Sequence, residues 1–302
     1  MPEFFHDAGH VLLHALEHTL KDTLLLLPFL FLSYLLMEFL EHKAGGATEK
    51  WLRGSGKIGP LLGGALGVLP QCGFSAAASG LYTGRIVTTG TLLAVYLSTS
   101  DEMLPILITG LADGSSTIWQ IAKLLGVKLL IGIAAGFCVD GIARLIRHRY
   151  PAKRTIRVED LCEREQCHCE GKHFALSALK HTLYITVFLL VFTFAFEVLM
   201  QVVDVSTWLL DRPLLGSLLA SLVGLIPNCA SSVALTELYL EGVISVGSML
   251  SGLLVNAGVG IAILFRNNRP VRDSFRILLI LWCIAVVSGI LIDVTPIGSW
   301  LY

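Results

Sequence analysis

The chain has 302 residues, of which 54% are hydrophobic and 15% are charged, and its formal net charge is −1. An average soluble domain carries about 25% charged residues, so this composition excludes an ordinary soluble enzyme and indicates a bilayer protein. The near-neutral charge also gives no reason to expect nucleic acid as a partner.

The first feature along the chain is a histidine pattern near the N-terminus. Four histidines recur at every fourth position with two carboxylates beside them: His6, Asp7, His10, His14, Glu17 and His18. On a helix this spacing aligns the imidazoles along one face, as in helical metal sites. The pattern predicts a peripheral metal-binding cluster, with a pH-responsive stripe at the membrane interface as the alternative.

Long apolar segments follow. A helix needs about 20 apolar residues to cross the hydrocarbon core of a bilayer. Four segments approach or reach that length: Thr23–Met37, Phe174–Met200, Val243–Phe265 and Ile277–Ile292. They predict several membrane-crossing helices and leave no large soluble domain.

A P-x-C sequence interrupts another apolar stretch. Leu61–Leu69 runs into Pro70, Gln71 and Cys72, after which an apolar run continues to Tyr82. Proline removes a backbone donor, and irregular backbone persists at membrane depth only where protein or a cavity surrounds it. We expect a re-entrant helical hairpin with the P-x-C sequence at its tip; a kinked crossing is the alternative.

A polar interruption divides the apolar stretch from Ile86 to Leu111. It consists of Ser98, Thr99, Ser100, Asp101 and Glu102. A carboxylate at membrane depth is costly and by default marks a substrate, ion or proton site. We predict a discontinuous helix whose acids and hydroxyls bind substrate, with acids at a wet interface as the alternative.

Further charged residues lie within or at the edges of apolar segments: Lys21, Asp22, Glu38, Lys128, Asp140, Glu197 and Asp293. Most such groups are expected to be interfacial or paired. Lys128 is a candidate to neutralise an intramembrane acid.

A basic linker over residues 150–173 separates the apolar regions 1–149 and 174–302, which we treat as two transmembrane repeats. Five candidate metal ligands lie in its last twelve residues: Cys162, Cys167, His168, Cys169 and His173. Clustered cytoplasmic cysteines are more often metal ligands than disulfides. We predict metal capture or sensing here, with a solvated linker as the alternative.

The second region repeats the first. A shift of 157 residues aligns Trp51–Leu104 with Trp208–Ile261 without a gap, and 15 of the 54 aligned positions are identical. The paired Cys72 and Cys229 are candidate soft ligands, or else small packing residues. The remaining candidate substrate ligands are Ser75 in the first copy and Pro227, Asn228, Ser231, Ser232 and Asn256 in the second. Glycines loosen the helix in the second copy, at Asn256–Gly260.

The distribution of positive charge predicts the topology. Lys and Arg concentrate in three connections, 43–57, 144–172 and 266–276, and are absent from 1–20, 86–122, 213–265 and 290–302. Basic loops lie in the cytoplasm, so both termini are expected outside. Each half then crosses the membrane an odd number of times, which makes the two halves inverted, a pattern typical of secondary transporters.

The sequence resembles the ten-helix heavy-metal exporters, distant relatives of the arsenic permeases that are also labelled manganese transporters. The resemblance spans nearly the whole chain and is carried by the residues 14–19, 70–75, 98–102 and 227–229. It implies a multi-pass carrier of the inner membrane and brings no catalytic residues with it.

The sequence therefore predicts an all-α polytopic membrane protein with two inverted repeats, each holding a broken hairpin and a discontinuous helix. We predict a secondary active exporter of divalent or heavy-metal cations, not an enzyme, with the metal as cargo, no cofactor, and proton coupling as an option. A carrier of an organic anion or oxyanion is the first alternative, and a metal sensor or thiol oxidoreductase is the second. The expected partners are the bilayer and the cargo, and a homodimer is one option for the assembly.

Overall fold

The computed structural model describes two main parts of the chain. These are 58–68, 72–84, 86–100, 103–112 and 116–149 in the first region, and 213–226, 229–268 and 270–301 in the second. Isolated helical positions lie at 20, 27, 31, 179, 182–184, 186–187, 190–191 and 194. Every regular element in these ranges is a helix, which confirms the predicted all-α class.

Eleven helices are defined over the described residues. The first region contains α1 Gly59–Gly67, α2 Cys72–Thr83, α3 Thr89–Ser98, α4 Met103–Ala112 and α5 Ile118–Arg149. The second contains α6 Pro213–Gly224, α7 Cys229–Leu240, α8 Val246–Val255, α9 Val259–Asn267, α10 Val271–Val294 and α11 Ile297–Leu301. The boundaries of α2 and α7 differ by 157 residues at both ends, as do those of α3 and α8, so the spacing of the sequence repeat is also a spacing of helix boundaries.

Four helical stretches are long and apolar enough to cross a membrane: Thr89–Ile108, Ile118–Ile146, Val246–Asn267 and Val271–Val294. Two of the predicted spans, Val243–Phe265 and Ile277–Ile292, are confirmed by the last two. The other two predicted spans, Thr23–Met37 and Phe174–Met200, lie almost wholly outside the described residues.

The spans divide into an inner pair and an outer pair. Within an apolar 18-residue stretch of each span, the buried share is 94% in Val246–Asn267 and 75% in Thr89–Ile108, against 33% in Val271–Val294 and 17% in Ile118–Ile146. The outer helices expose large apolar side chains, among them Leu130 and Leu279. Because water disfavours such surfaces, α5 and α10 are suited to face lipid, while the discontinuous helices form the core.

The two regions interlock. Within the first, α3 packs against α1 and α5; within the second, α8 packs against α6 and α10. Between them, α2 packs on α9, α7 packs on α4, and α3 contacts α8. The helix that follows each P-x-C sequence therefore packs on the far piece of the discontinuous helix of the other region.

Two tyrosines that the sequence repeat pairs make matching contacts across this interface. Tyr82, at the end of α2, donates to Asp273 Oδ2 in the first turn of α10 at 2.8 Å. Tyr239, at the end of α7, accepts from Gln120 Nε2 in the first turn of α5 at 2.7 Å. The C-terminal end of α2 is thus bonded to α10, and that of α7 to α5, so each is held by the outer helix of the other region.

A carboxylate caps each inner helix, and Asp140 is buried while Asp293 is partly buried. Thr88 is the N-cap of α3, and its hydroxyl donates to Asp140 Oδ2 at 2.6 Å. The other carboxylate oxygen of Asp140 accepts from the Gly90 backbone N–H at 2.9 Å. A carboxylate in this position satisfies a free N–H group and complements the helix dipole. The equivalent group in the second region is formed by Ser245 (2.7 Å to Asp293), Gly247 (2.8 Å to Asp293) and Asp293 itself.

Glycine is required where the inner and outer helices cross. A Cβ atom added at Gly90 or at Gly247 would lie closer than 3.0 Å to the carbonyl oxygen of Gly136 or Gly289, respectively. The two backbones approach too closely for any side chain at these positions. Asp140 and Asp293 can therefore reach the helix starts that they cap.

We expect Gly90→Ala and Gly247→Ala each to destabilise the protein by about 1–3 kcal/mol, because the added methyl group forces the crossing helices apart. Gly126→Ala in α5 is the matched control: nothing lies within 4 Å of its added Cβ, so the same substitution should be neutral or stabilising. The midpoint of thermal unfolding in detergent measures the difference, and equal midpoints for all three variants would contradict the crossing geometry.

Candidate functional site

Both discontinuous helices are broken in the buried interior. In the first region, α3 ends at Ser98, and the next two residues, Thr99 and Ser100, are not helical. In the second region, α8 ends at Val255 and α9 begins at Val259. The predicted interruptions are therefore confirmed as breaks in the helices. One detail differs: the helix resumes early enough that Gly260 lies within α9.

The hydroxyl groups at the first break are shielded from solvent and donate hydrogen bonds to backbone carbonyls. Ser98 donates to the carbonyl of Ala94 at 2.7 Å, and Thr99 donates to that of Val95 at 2.7 Å. Ser100 donates to the carbonyl of Ser98 at 3.1 Å, and all three hydroxyl residues are at most 3% exposed. A hydroxyl has one hydrogen, so these oxygens can offer only lone pairs to a further partner.

Asn256 organises the second break. Its side-chain oxygen accepts from the Gly258 N–H at 2.9 Å, and its amide nitrogen donates to Ser231 Oγ, in the first turn of α7, at 3.0 Å. Gly258 has φ +52°, a conformation that favours glycine. Ser231 donates in turn to the carbonyl of Ile226 at 3.1 Å. The second break is thus fixed to the start of α7.

The start of α2 reaches the same break from the other region. A Cβ added at Gly260 would lie 2.8 Å from the carbonyl oxygen of Ser75, so α2 and α9 touch through their backbones. Ser79 Oγ lies 2.6 Å from that oxygen and 2.8 Å from Gly260 O. Tyr96 Oη from α3 lies 2.7 Å from Ser79 Oγ and 3.1 Å from Gly260 O. A buried cluster of polar groups therefore joins α2, α3 and α9.

The beginnings of α2 and α7 therefore converge on one segment. Ser75 contacts residue 260 and Ser231 contacts residue 256. Free N–H groups and a partial positive charge characterise the first turn of a helix. The sequence left open whether the two P-x-C segments meet, and the structure brings the first turns of α2 and α7, the helices at those segments, to the same break.

Lys128 lies at the carbonyl ends of the broken helices. This residue of α5 is 1% exposed, and its ammonium donates to the carbonyl of Thr99 and, at 3.3 Å, to that of Leu253 in the last turn of α8. We shall call the residues 98–100, 256–260 and Lys128, with the first turns of α2 and α7, the central site.

The remaining predicted ligands fall into three groups. Cys72 and Cys229 are the first residues of α2 and α7, and only their backbone is described. Ser232 is buried in α7, where its carbonyl accepts from Thr236 at 2.8 Å. Outside the described residues lie Pro70, Gln71, Asp101, Glu102, Pro227 and Asn228 of the substrate site, His6, Asp7, His10, His14, Glu17 and His18 of the N-terminal cluster, and Cys162, Cys167, His168, Cys169 and His173 of the linker.

Among the described residues, no group of three or more His, Cys, Asp or Glu side chains is placed to hold a metal ion. The contacts of Tyr96 and Ser79 were not predicted. The available signal was a departure from the repeat: a shift of 157 residues pairs Tyr96 with Leu253, so a polar group replaces an apolar one at a core position.

Comparison with protein families gives one match. The ArsP_2 family, described as "Putative, 10TM heavy-metal exporter", matches residues 133–266 and 175–296, which together span 133–296 and more than half of the chain. The chain belongs to this family. The suspected resemblance to the ten-helix heavy-metal exporters is therefore confirmed, and a multi-pass membrane transporter follows from it. No curated protein and no solved structure matches the chain.

The contact between Asn256 and Ser231 gives a test of this convergence. We expect Asn256→Ala and Ser231→Ala each to lower stability by about 1 kcal/mol, and the double variant to lose less than the sum, because both remove the same hydrogen bond. Thermal unfolding in detergent measures the effect. Ser299→Ala, in exposed α11, is the control and should combine additively with Asn256→Ala. Additive losses in the Asn256 and Ser231 pair would contradict the contact.

Proposed function

We propose that this exporter moves divalent or heavy-metal cations as a secondary active transporter, by alternating access about the central site. The observation that carries the proposal is the convergence of two broken helices with the first turns of α2 and α7 in the buried core. Broken helices at the interface of two repeats form the substrate sites of many secondary transporters.

The chemistry of the first break favours a cation. The hydroxyl hydrogens of Ser98, Thr99 and Ser100 are donated to backbone carbonyls, so the oxygens present lone pairs. Asp101 and Glu102 follow directly in sequence and would supply negative charge. Oxygen ligands of this kind suit manganese-like ions, and the thiol of Cys72 or Cys229 would extend the range to softer metals.

Several contacts support inverted repeats. α2 ends beside the start of α10, and α7 ends beside the start of α5. The start of α5 also contacts α11, which follows the end of α10, because Lys123 donates to the Trp300 carbonyl. α2 and α7 then run from the central site toward opposite ends of the bundle, as inverted repeats require. If the basic connections lie in the cytoplasm, both termini would lie on the outer side of the inner membrane.

Exchange of a proton for the metal would drive export. Asp101 or Glu102 would bind metal when ionised and a proton when the metal leaves, as intramembrane carboxylates do in pumps and transporters. The N-terminal histidines and the linker cysteines would capture the metal or pass it on.

An oxyanion is the second candidate cargo, and two observations favour it. The first turns of α2 and α7 converge on the second break, where their partial positive charge would stabilise an anion. The ammonium of Lys128 adds a full positive charge to the same site. An oxyanion carrier would use these groups and would not need an ionised Asp101.

The test is flux of manganese, zinc, cobalt and cadmium, with the oxyanion arsenate alongside, across proteoliposomes with an imposed pH gradient. We expect metal flux in the wild type, a loss of at least about tenfold in Asp101→Asn, because one ligand charge is removed, and a selective loss of soft metals in Cys72→Ser. Glu241→Gln, at an exposed turn, is the matched control and should transport normally.

Two results would contradict the cation proposal. One is the absence of metal flux from folded, inserted protein. The other is arsenate flux that Asp101→Asn leaves intact, which would establish the oxyanion carrier instead.

A further inference from the structure

Lys128 joins the carbonyl ends of both discontinuous helices. It lies in the middle of the apolar helix α5 and is 1% exposed. Its ammonium donates to the carbonyl of Thr99, the C-cap of α3, and at 3.3 Å to the carbonyl of Leu253, two residues before the end of α8. One charge in the first region therefore contacts the broken helices of both regions.

The two carbonyls form a position suited to a cation. The last carbonyls of a helix have no donor within the helix, and the C-terminal end carries a partial negative charge. Broken helices in transporters coordinate cations with such carbonyls. Here two helix ends of this kind meet in the buried core, and an ammonium occupies the position between them.

Lys128 contacts or lies beside three helices of the core, α3, α4 and α8. The helices α3, α4 and α8 contain no Asp, Glu, Lys, Arg or His, and Tyr96 is the one titratable residue among them. Asp101 and Glu102 follow Thr99 by two and three residues. The spacing of 153 residues that relates Asp140 to Asp293 pairs Lys128 with Leu281, so the second region has no ammonium at the matching position.

We propose that Lys128 is a tethered cation that competes with the transported metal cation for the carbonyl oxygens of Thr99 and Leu253. The inference rests on the proposed cation transport and adds a residue that sets affinity and release. When the site is empty, the ammonium satisfies the two carbonyls. Metal entry displaces the side chain because like charges repel at contact distance, and its return helps the metal to leave.

The competition predicts a specific division of kinetic effects. In Lys128→Met, the KM for manganese and zinc in proteoliposomes should fall about tenfold or more, because the competing charge is gone. The maximal rate should fall as well, because release slows. A purely structural lesion at a buried position would lower the rate without lowering KM.

Two further variants sharpen the test. Lys128→Arg keeps a permanent positive charge, so its KM should stay at or above the wild-type value. Lys123→Met removes the other lysine of α5, whose contacts are with Trp300 at the exposed end of the helix, and should leave both constants unchanged. If Lys128→Met does not purify as folded protein, Lys128→Gln replaces it in the test. This variant removes the charge, retains a hydrogen-bond donor, and is also expected to lower the KM for metal.

Each outcome is informative. Wild-type metal flux with an unchanged or raised KM in Lys128→Met would overturn the tethered cation and leave the proposed function standing. Arsenate transport that weakens in Lys128→Met would show the ammonium to be a ligand for an anion, which also overturns it. A wild type that moves neither manganese nor zinc would refute the proposed function and this inference together.

Discussion

Backbone groups that a broken helix releases at membrane depth need partners inside the protein, because lipid offers none. The central site meets this requirement from several sides. Lys128 donates to carbonyls at the ends of α3 and α8, and Asn256 accepts the N–H of Gly258. Lys128 comes from α5, and Ser231 of α7 accepts from the Asn256 amide and holds it in position, so packing between the helices supports both breaks.

The frame around the site is nearly symmetric and the site is not. Asp140 and Asp293 cap α3 and α8 through the same two contacts, at glycine crossings of the same kind. At the centre, Lys128 has only Leu281 as its counterpart. A repeated scaffold can position two breaks, while unpaired substitutions give each break its own chemistry. In the proposed mechanism, symmetry would serve movement between states, and its local loss would serve recognition of the cargo.

Much of this frame was predictable from the sequence. Hydrophobic length identified spans such as Val243–Phe265, and the shift of 157 residues anticipated matching helix boundaries. Polar residues within apolar runs located the break at Ser98–Ser100. The partners of these groups were not predictable, because a repeat gives correspondence between positions and no distances. The contact of Ser231 with Asn256 and the two carbonyl partners of Lys128 depend on how the regions interlock, which sequence periodicity does not encode.

The central claim is that one buried site, formed by the breaks of both regions, holds the cargo. Anomalous X-ray scattering from crystals of the whole protein grown with cadmium or manganese tests it most directly. We expect an anomalous peak between residues 98–100 and 256–260, close to the starts of α2 and α7. A peak confined to the N-terminal histidines or the linker cysteines, with none at the central site under saturating metal, would contradict it.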